Sequence, residues 1–346
     1  MLRARFLSRL PEKPTGTEGP CCGHRTATRG AAGLIHRRRY EAQLFGLTIQ
    51  EVYEVLTKLS DLQKAAVFTV LVLVLAVTAA LSIKALGLTA PLALMVWSST
   101  PALATVIMLL VITGDGRSRQ GWRSLGLHRL GLRMWWIAIF GTLLITVVAS
   151  AVVWLTPLAS VVAPAFGGVS PIISWLVFQV IILVLSLFEE IGIRGYLLPK
   201  LLPMGRKRAL LVSGLVWATW HMPLIFLTSF LPVGNKLIGV PLFYTTVIAA
   251  SFYYGYLRIY SGSIWPVTIA HTVHNVAWGP MSLLTVTAYP VLVNTYLVGD
   301  FGILIAVGAA VAALLVGRLV HPSADEAQPS GHPGPALNHD RRNFAR

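Results

Sequence analysis

Ile172–Leu198 reads IISWLVFQVIILVLSLFEEIGIRGYLL. The run exceeds the roughly 20 apolar residues that a helix needs to cross a bilayer. Near its end it sets Glu189 and Glu190 side by side, with Arg194 four positions beyond the second. Carboxylates are costly in hydrocarbon, so ionisable groups inside a span are functional candidates by default. The stretch therefore predicts a membrane-spanning helix with a chemical purpose rather than the core helix of a soluble domain.

The remaining sequence agrees. The 346 residues are 55% hydrophobic and only 12% charged, with a mean hydropathy of +0.70. An ordinary soluble domain carries about 25% charge. Eight segments read as spans: 65–83, 90–113, 134–155, 172–198, 209–230, 238–257, 264–284 and 301–320. The seventh is the least apolar, because it holds two histidines and an asparagine. The expected fold class is all-α, a polytopic membrane protein of about eight transmembrane helices.

The net charge of +15 would suggest nucleic acid on a soluble chain. Its placement argues against that partner. Of the 28 Lys and Arg, 25 fall in alternate connections and in the two termini. Only Lys84 and Lys236 fall in the other connections, and Arg194 lies inside a span. Basic residues concentrate on the cytoplasmic side of membrane proteins. The pattern predicts both termini in the cytoplasm, an integral multi-pass protein of the plasma membrane, and affinity for the anionic lipid of the bilayer.

Residues 1–45 read as a disordered basic cytoplasmic tail, without the apolar core of a signal peptide. Residues 46–64 show helical spacing of Ile49, Val52, Tyr53, Leu56 and Leu59, as expected of an amphipathic interfacial segment. Residues 65–320 form the transmembrane domain, with the polar motifs in 171–280, and 321–346 read as a disordered polar tail. Cys21 and Cys22, the only cysteines, are adjacent in the N-terminal tail and define no disulfide framework or zinc finger.

Inside the spans, Glu189 and Glu190 are joined by His221, His271, His274 and Asn275. At 1.5 Å per residue, Glu189 lies about 16 Å from the basic end of its helix, His221 about 20 Å and His271 about 12 Å. Three helices, the fourth, fifth and seventh, thus bring polar groups to similar depth. Glu190 and Arg194 are i,i+4 and can pair, while Glu189 points about 100° away. His271 and Asn275 share a face.

A carboxylate beside a neutral imidazole can hold and deprotonate a water, and His and Asn donors can stabilise an oxyanion. That set suits amide hydrolysis. Glu189, His221 and His271 could equally ligate Zn²⁺. The residues alone leave both open. No serine or cysteine shows a comparable setting, which disfavours covalent catalysis.

Three motifs in order carry a family resemblance: Glu189-Glu190-Ile-Gly-Ile-Arg194, WATWH ending at His221, and HTVHN holding His271 and Asn275. With them the chain resembles the CPBP intramembrane proteases, which include type II CAAX prenyl endopeptidases and bacteriocin-processing and self-immunity proteins. The resemblance implies an endopeptidase with Glu189 as the base that activates water, assisted by His221. His271 and Asn275 would serve the oxyanion, and Glu190 and Arg194 would support the site. It implies a polypeptide substrate, with a membrane-associated or lipid-modified C-terminus as one form. No cofactor is required in the preferred reading, and Zn²⁺ is the alternative. Trp217 stands where the second motif has Phe, a change read here as one of packing.

Two other function classes compete: a non-catalytic scaffold or self-immunity protein, and a proton-coupled transporter. The complete Glu, His, His and Asn set favours the enzyme. Transporters often show inverted repeats, and none is visible here. Smaller features complete the expectations. Gly214 and Ala218 should permit close helix packing, and Pro223 should kink its span. His274 should pack or hydrogen-bond, Trp122–Trp136 should form an interfacial loop, and Tyr253, Tyr254, Tyr256 and Tyr260 should form an interfacial belt.

Overall fold

The computed structural model describes residues 58–163 and 169–319. The tails at 1–45 and 321–346 and most of the segment 46–64 lie outside the described residues.

Among these, ten α-helices follow one another. They are α1 (Asp61–Leu86), α2 (Ala90–Ile107), α3 (Arg119–Arg123), α4 (Thr142–Trp154), α5 (Val169–Glu190), α6 (Leu198–Leu201), α7 (Arg206–Leu227), α8 (Lys236–Ser261), α9 (Trp265–Leu283) and α10 (Ile303–Leu319). Two short strands, β1 (Ser160–Val161) and β2 (Thr285–Val286), pair antiparallel, with Ser160 opposite Val286. The fold is an all-α polytopic membrane bundle. Among the described residues six helical stretches are long and apolar enough to cross a membrane: Asp61–Leu86, Ala90–Ile112, Leu132–Trp154, Leu176–Met204, Arg206–Leu227 and Lys236–Ser261. α9, with its histidines, and the shorter α10 fall in the seventh and eighth segments expected from the sequence but are not long and apolar enough to be counted with these six. Valines and leucines such as Val70, Val74, Leu81, Leu144 and Leu314 point outward and are exposed. A soluble protein would bury such a surface; a bilayer supplies its partner.

Local chemistry sets the ends of α1. Ser60 accepts from the Gln63 backbone, and the Gln63 side chain accepts from the Ser60 backbone, closing a capping box. Gly87 then takes a left-handed conformation, φ 59°, and ends the helix. Two ion pairs gather the basic connections at one end. Lys64 reaches Asp115 at 2.8 Å, and Lys200 reaches Asp61 at 2.7 Å. The start of α1, the connection after α2 and the end of α6 are therefore neighbours, as the alternating charge requires.

Close approaches at glycines build the interior. A Cβ on Gly192 would lie 2.4 Å from the Pro101 Cβ, so this position lets the α5 side of the bundle seat against α2. A Cβ on Gly214 would meet Ser251 at 2.9 Å and the Ile248 backbone at 3.1 Å, and the expected close packing is thus between α7 and α8. Pro223 is carried inside α7, which continues to Leu227.

The tyrosine reading needs correction. Tyr253, Tyr254 and Tyr260 are buried, not arrayed at an interface. Tyr253 donates to the Ile137 carbonyl at 2.7 Å, and Tyr260 accepts from Arg206 and donates to the Gly317 carbonyl. An aromatic run on a helix serves a lipid boundary only if that face turns outward; here α9 and α10 both pack on α8. The loop between Trp122 and Trp136 is docked rather than loose. Trp265 donates to the Leu127 carbonyl at 3.1 Å, Ser263 donates to the Arg129 carbonyl, and Leu125 is buried.

Candidate active site

α5 ends at Glu190, and residues Ile191–Leu197 continue as a π-helical turn. Such turns widen a helix locally and recur at functional sites. Arg258, on α8, donates to the Arg194 carbonyl in this turn at 3.2 Å and to the Ser124 carbonyl at 2.9 Å. One cation counted from the sequence as part of the basic side thus also clamps the turn that carries the motif.

The two glutamates have separate partners. Glu190, with no exposed surface, accepts from Arg194 Nη1 at 3.0 Å and from His271 Nδ1 at 2.9 Å on the same Oε1. Arg194 is equally buried, and its guanidinium lies 4.0 Å from the Trp217 ring centroid and 5.4 Å from that of Tyr254. Arg194 Nε and Nη2 have no hydrogen-bond partner among the described residues, and aromatic faces take up the cation. Among the described residues, Glu189 has no cation hydrogen-bonded to it. It accepts from Ser98 Oγ at 2.9 Å and from Trp217 Nε1 at a long 3.5 Å.

The histidines are held in defined tautomers. His221 Nδ1 is 2.9 Å from the Trp217 carbonyl, and a carbonyl can only accept, so Nδ1 carries the proton. The ring packs against Trp220, at 4.5 Å between centroids, and Phe243, at 5.1 Å. His271 likewise commits Nδ1, here to the Glu190 oxygen that Arg194 also binds. In both rings Nε2 is the atom left for other chemistry.

The structure brings Glu189, Glu190, Arg194 and His271 together around Trp217. His271 pairs with Glu190, rather than belonging wholly to the oxyanion side. His221 reaches the cluster through Trp217, whose ring lies 6.0 Å away, and it makes no hydrogen bond to Glu189. Asn275, one turn beyond His271 on α9, is exposed. His274 stands apart, 3.6 Å from Asp300.

Glu189, His221 and His271 are the set that the sequence offers to Zn²⁺. Among the described residues no group of three or more His, Cys, Asp or Glu comes together as a metal site. The three side chains instead face different partners.

Two contributors to the site carry little signal in the sequence. A serine does stand in the setting that the sequence reading reserved for glutamate: Ser98, 4% exposed, bonds Glu189 directly. The polar triplet Ser98-Ser99-Thr100 inside an otherwise apolar segment was the available signal. Trp220 donates to Thr100 at 2.9 Å and stacks near Trp97, which fixes this part of α2 against α7. Trp217 does more than pack: it touches Glu189, Arg194, His221 and His271.

The fold and this cluster define a polytopic membrane protein with a buried Glu, Arg and His centre. Residues 171–277 match the family described as Type II CAAX prenyl endopeptidase Rce1-like. The match bears out the family resemblance carried by the three motifs, and it takes in Glu189 through Asn275 but not Ser98. It covers fewer than half of the 346 residues. No curated protein matches the chain.

Proposed function

We propose that the protein is an intramembrane endopeptidase of the CAAX type that hydrolyses a peptide bond with a water activated by Glu189. The observation that carries this reading is the division of labour between the two carboxylates. Glu190 is committed to Arg194 and His271, whereas among the described residues Glu189 binds only the neutral donors Ser98 and Trp217. A carboxylate with no cation bound to it keeps its basicity, which a general base needs.

In this mechanism Glu189 takes a proton from water as the water attacks the scissile carbonyl. His221, protonated on Nδ1, offers Nε2 as an acceptor that orients the same water. His271 is held by Glu190, and with the Asn275 amide it borders the carbonyl oxygen where negative charge develops. Glu189 then returns the proton to the leaving amine. The mechanism requires no cofactor. The substrate is a polypeptide in or against the membrane, with a lipid-modified C-terminus as one form. The basic end of the eight-span bundle faces the cytoplasm, both termini lie there, and the site opens toward that leaflet of the plasma membrane.

The test is cleavage of a fluorogenic peptide library by the purified full-length protein in detergent, comparing wild type with Glu189→Gln, each with and without a chelator. Activity lost in the variant but retained with chelator supports the glutamate mechanism. Activity lost to chelator replaces it with a metal mechanism. Equal activity of wild type and equally folded variant removes Glu189 from the chemistry.

A further inference from the structure

A groove of about 770 Å³ runs between the Leu132–Trp154 stretch and α10, and neither glutamate of the candidate site lines it. Leu144, Val148 and Val152 form one wall, and Leu304, Val311 and Leu315 form the other. Most of these side chains are exposed. Gly141 and Gly308 deepen it: a Cβ at Gly141 would meet the Tyr253 hydroxyl at 2.8 Å, and one at Gly308 would meet Ile145 at 2.7 Å. From Arg133 to Val152 the wall extends about 28 Å at 1.5 Å per residue. An acyl chain needs about 15 Å, half of the hydrocarbon core.

The two ends of the groove differ. The apolar walls meet Arg133 and the exposed Trp136 at the basic end of the bundle. Arg318 stands two residues past the last lining residue of α10, Val316. Neither arginine makes an ion pair or hydrogen bond with the described residues. The Tyr253 hydroxyl on the floor already donates to the Ile137 carbonyl. The lining therefore offers almost nothing to the backbone N–H and C=O groups of an extended peptide, which hydrocarbon surroundings would leave unsatisfied. A hydrocarbon chain has no such demand, and two arginines at the mouth match a phosphate, which a guanidinium binds through paired hydrogen bonds.

We propose that this groove is a binding site for an anionic phospholipid of the surrounding bilayer, with the acyl chain along Leu144–Val152 and the phosphate at Arg133, assisted by Arg318. Basic pockets between membrane helices bind anionic headgroups in this manner. The site does not depend on the protease reading, because no residue of the Glu189 cluster lines it.

The test is thermal unfolding of the purified full-length protein in neutral detergent, with added phosphatidylglycerol or phosphatidylcholine. A ligand that binds the folded state raises Tm. Phosphatidylglycerol should raise Tm by several degrees more than phosphatidylcholine does. The double variant Arg133→Gln with Arg318→Gln should reduce that response to the phosphatidylcholine level. Val148→Trp, which fills the groove from an exposed position, should abolish the phosphatidylglycerol response with both arginines intact. Equal responses of the wild type to the two lipids would overturn the proposal. So would a phosphatidylglycerol response that survives in the double variant or in Val148→Trp.

Discussion

Ser98 on α2 donates its hydroxyl to Glu189 at the end of α5 across 2.9 Å, and both side chains are buried. The bond recruits a helix outside the family-matched residues 171–277 to the candidate active site. Ser98→Ala should lower kcat/KM by roughly 10- to 100-fold, with most of the loss in kcat, because a hydrogen bond to a charged group contributes about 1.5–3 kcal/mol. A nucleophilic serine would instead lose essentially all activity on substitution. Steady-state kinetics of Ser98→Ala at matched folded protein separates the two roles.

Glu190 should matter for folding before it matters for chemistry. Its replacement by Ala leaves Arg194 buried with no anion, and breaking a buried pair from one side costs about 3–5 kcal/mol. The expected result is a marked fall in monodisperse yield and in Tm relative to Glu189→Gln, read by size-exclusion chromatography and thermal unfolding. A Glu190→Ala protein as stable as wild type would contradict the supporting role.

Trp217 supplies both an aromatic face for Arg194 and a long N–H contact to Glu189. Trp217→Phe restores the residue usual in the motif and keeps a face for the cation. It should retain the fold and change kcat/KM by no more than about threefold, since a 3.5 Å contact is a weak hydrogen bond. Trp217→Ala removes the face as well and should cost about 3–5 kcal/mol of stability. Unfolding of the two variants side by side checks the contrast.

His221→Ala should lower kcat by about 10²–10⁴-fold if its Nε2 orients the attacking water, the range measured for general acid–base groups. Activity within a factor of two of wild type would restrict this ring to packing against Trp220 and Phe243.

Gly192 lies within the π turn and faces Pro101. Gly192→Ala should destabilise by about 1–3 kcal/mol, because the added methyl must displace a helix carrying Ser98 as well as Pro101. Activity should fall together with Tm, as Ser98 moves from Glu189. A Tm unchanged from wild type would show that the helices separate at no cost.

The sequence by itself determined the class of fold, its long apolar helices, the alternation of basic connections and the presence of Glu189, Glu190, Arg194 and His271 inside those helices. Each is a one-dimensional signal. Apolar length follows from bilayer thickness, charge alternation from the sidedness of insertion, and Glu190 with Arg194 from the i,i+4 geometry of one helix. The tertiary structure alone decided the partners. Which glutamate receives His271, and that Ser98 reaches the other, depends on how α2, α5 and α9 pack and on a π turn after Glu190 that no spacing announces. The buried tyrosines of α8 show the same limit: an aromatic face is lipid-facing or interior according to its neighbours, here α9 and α10. Contacts between helices join residues far apart in the chain, and their geometry is set by side-chain packing at the interface rather than by the local order of residues.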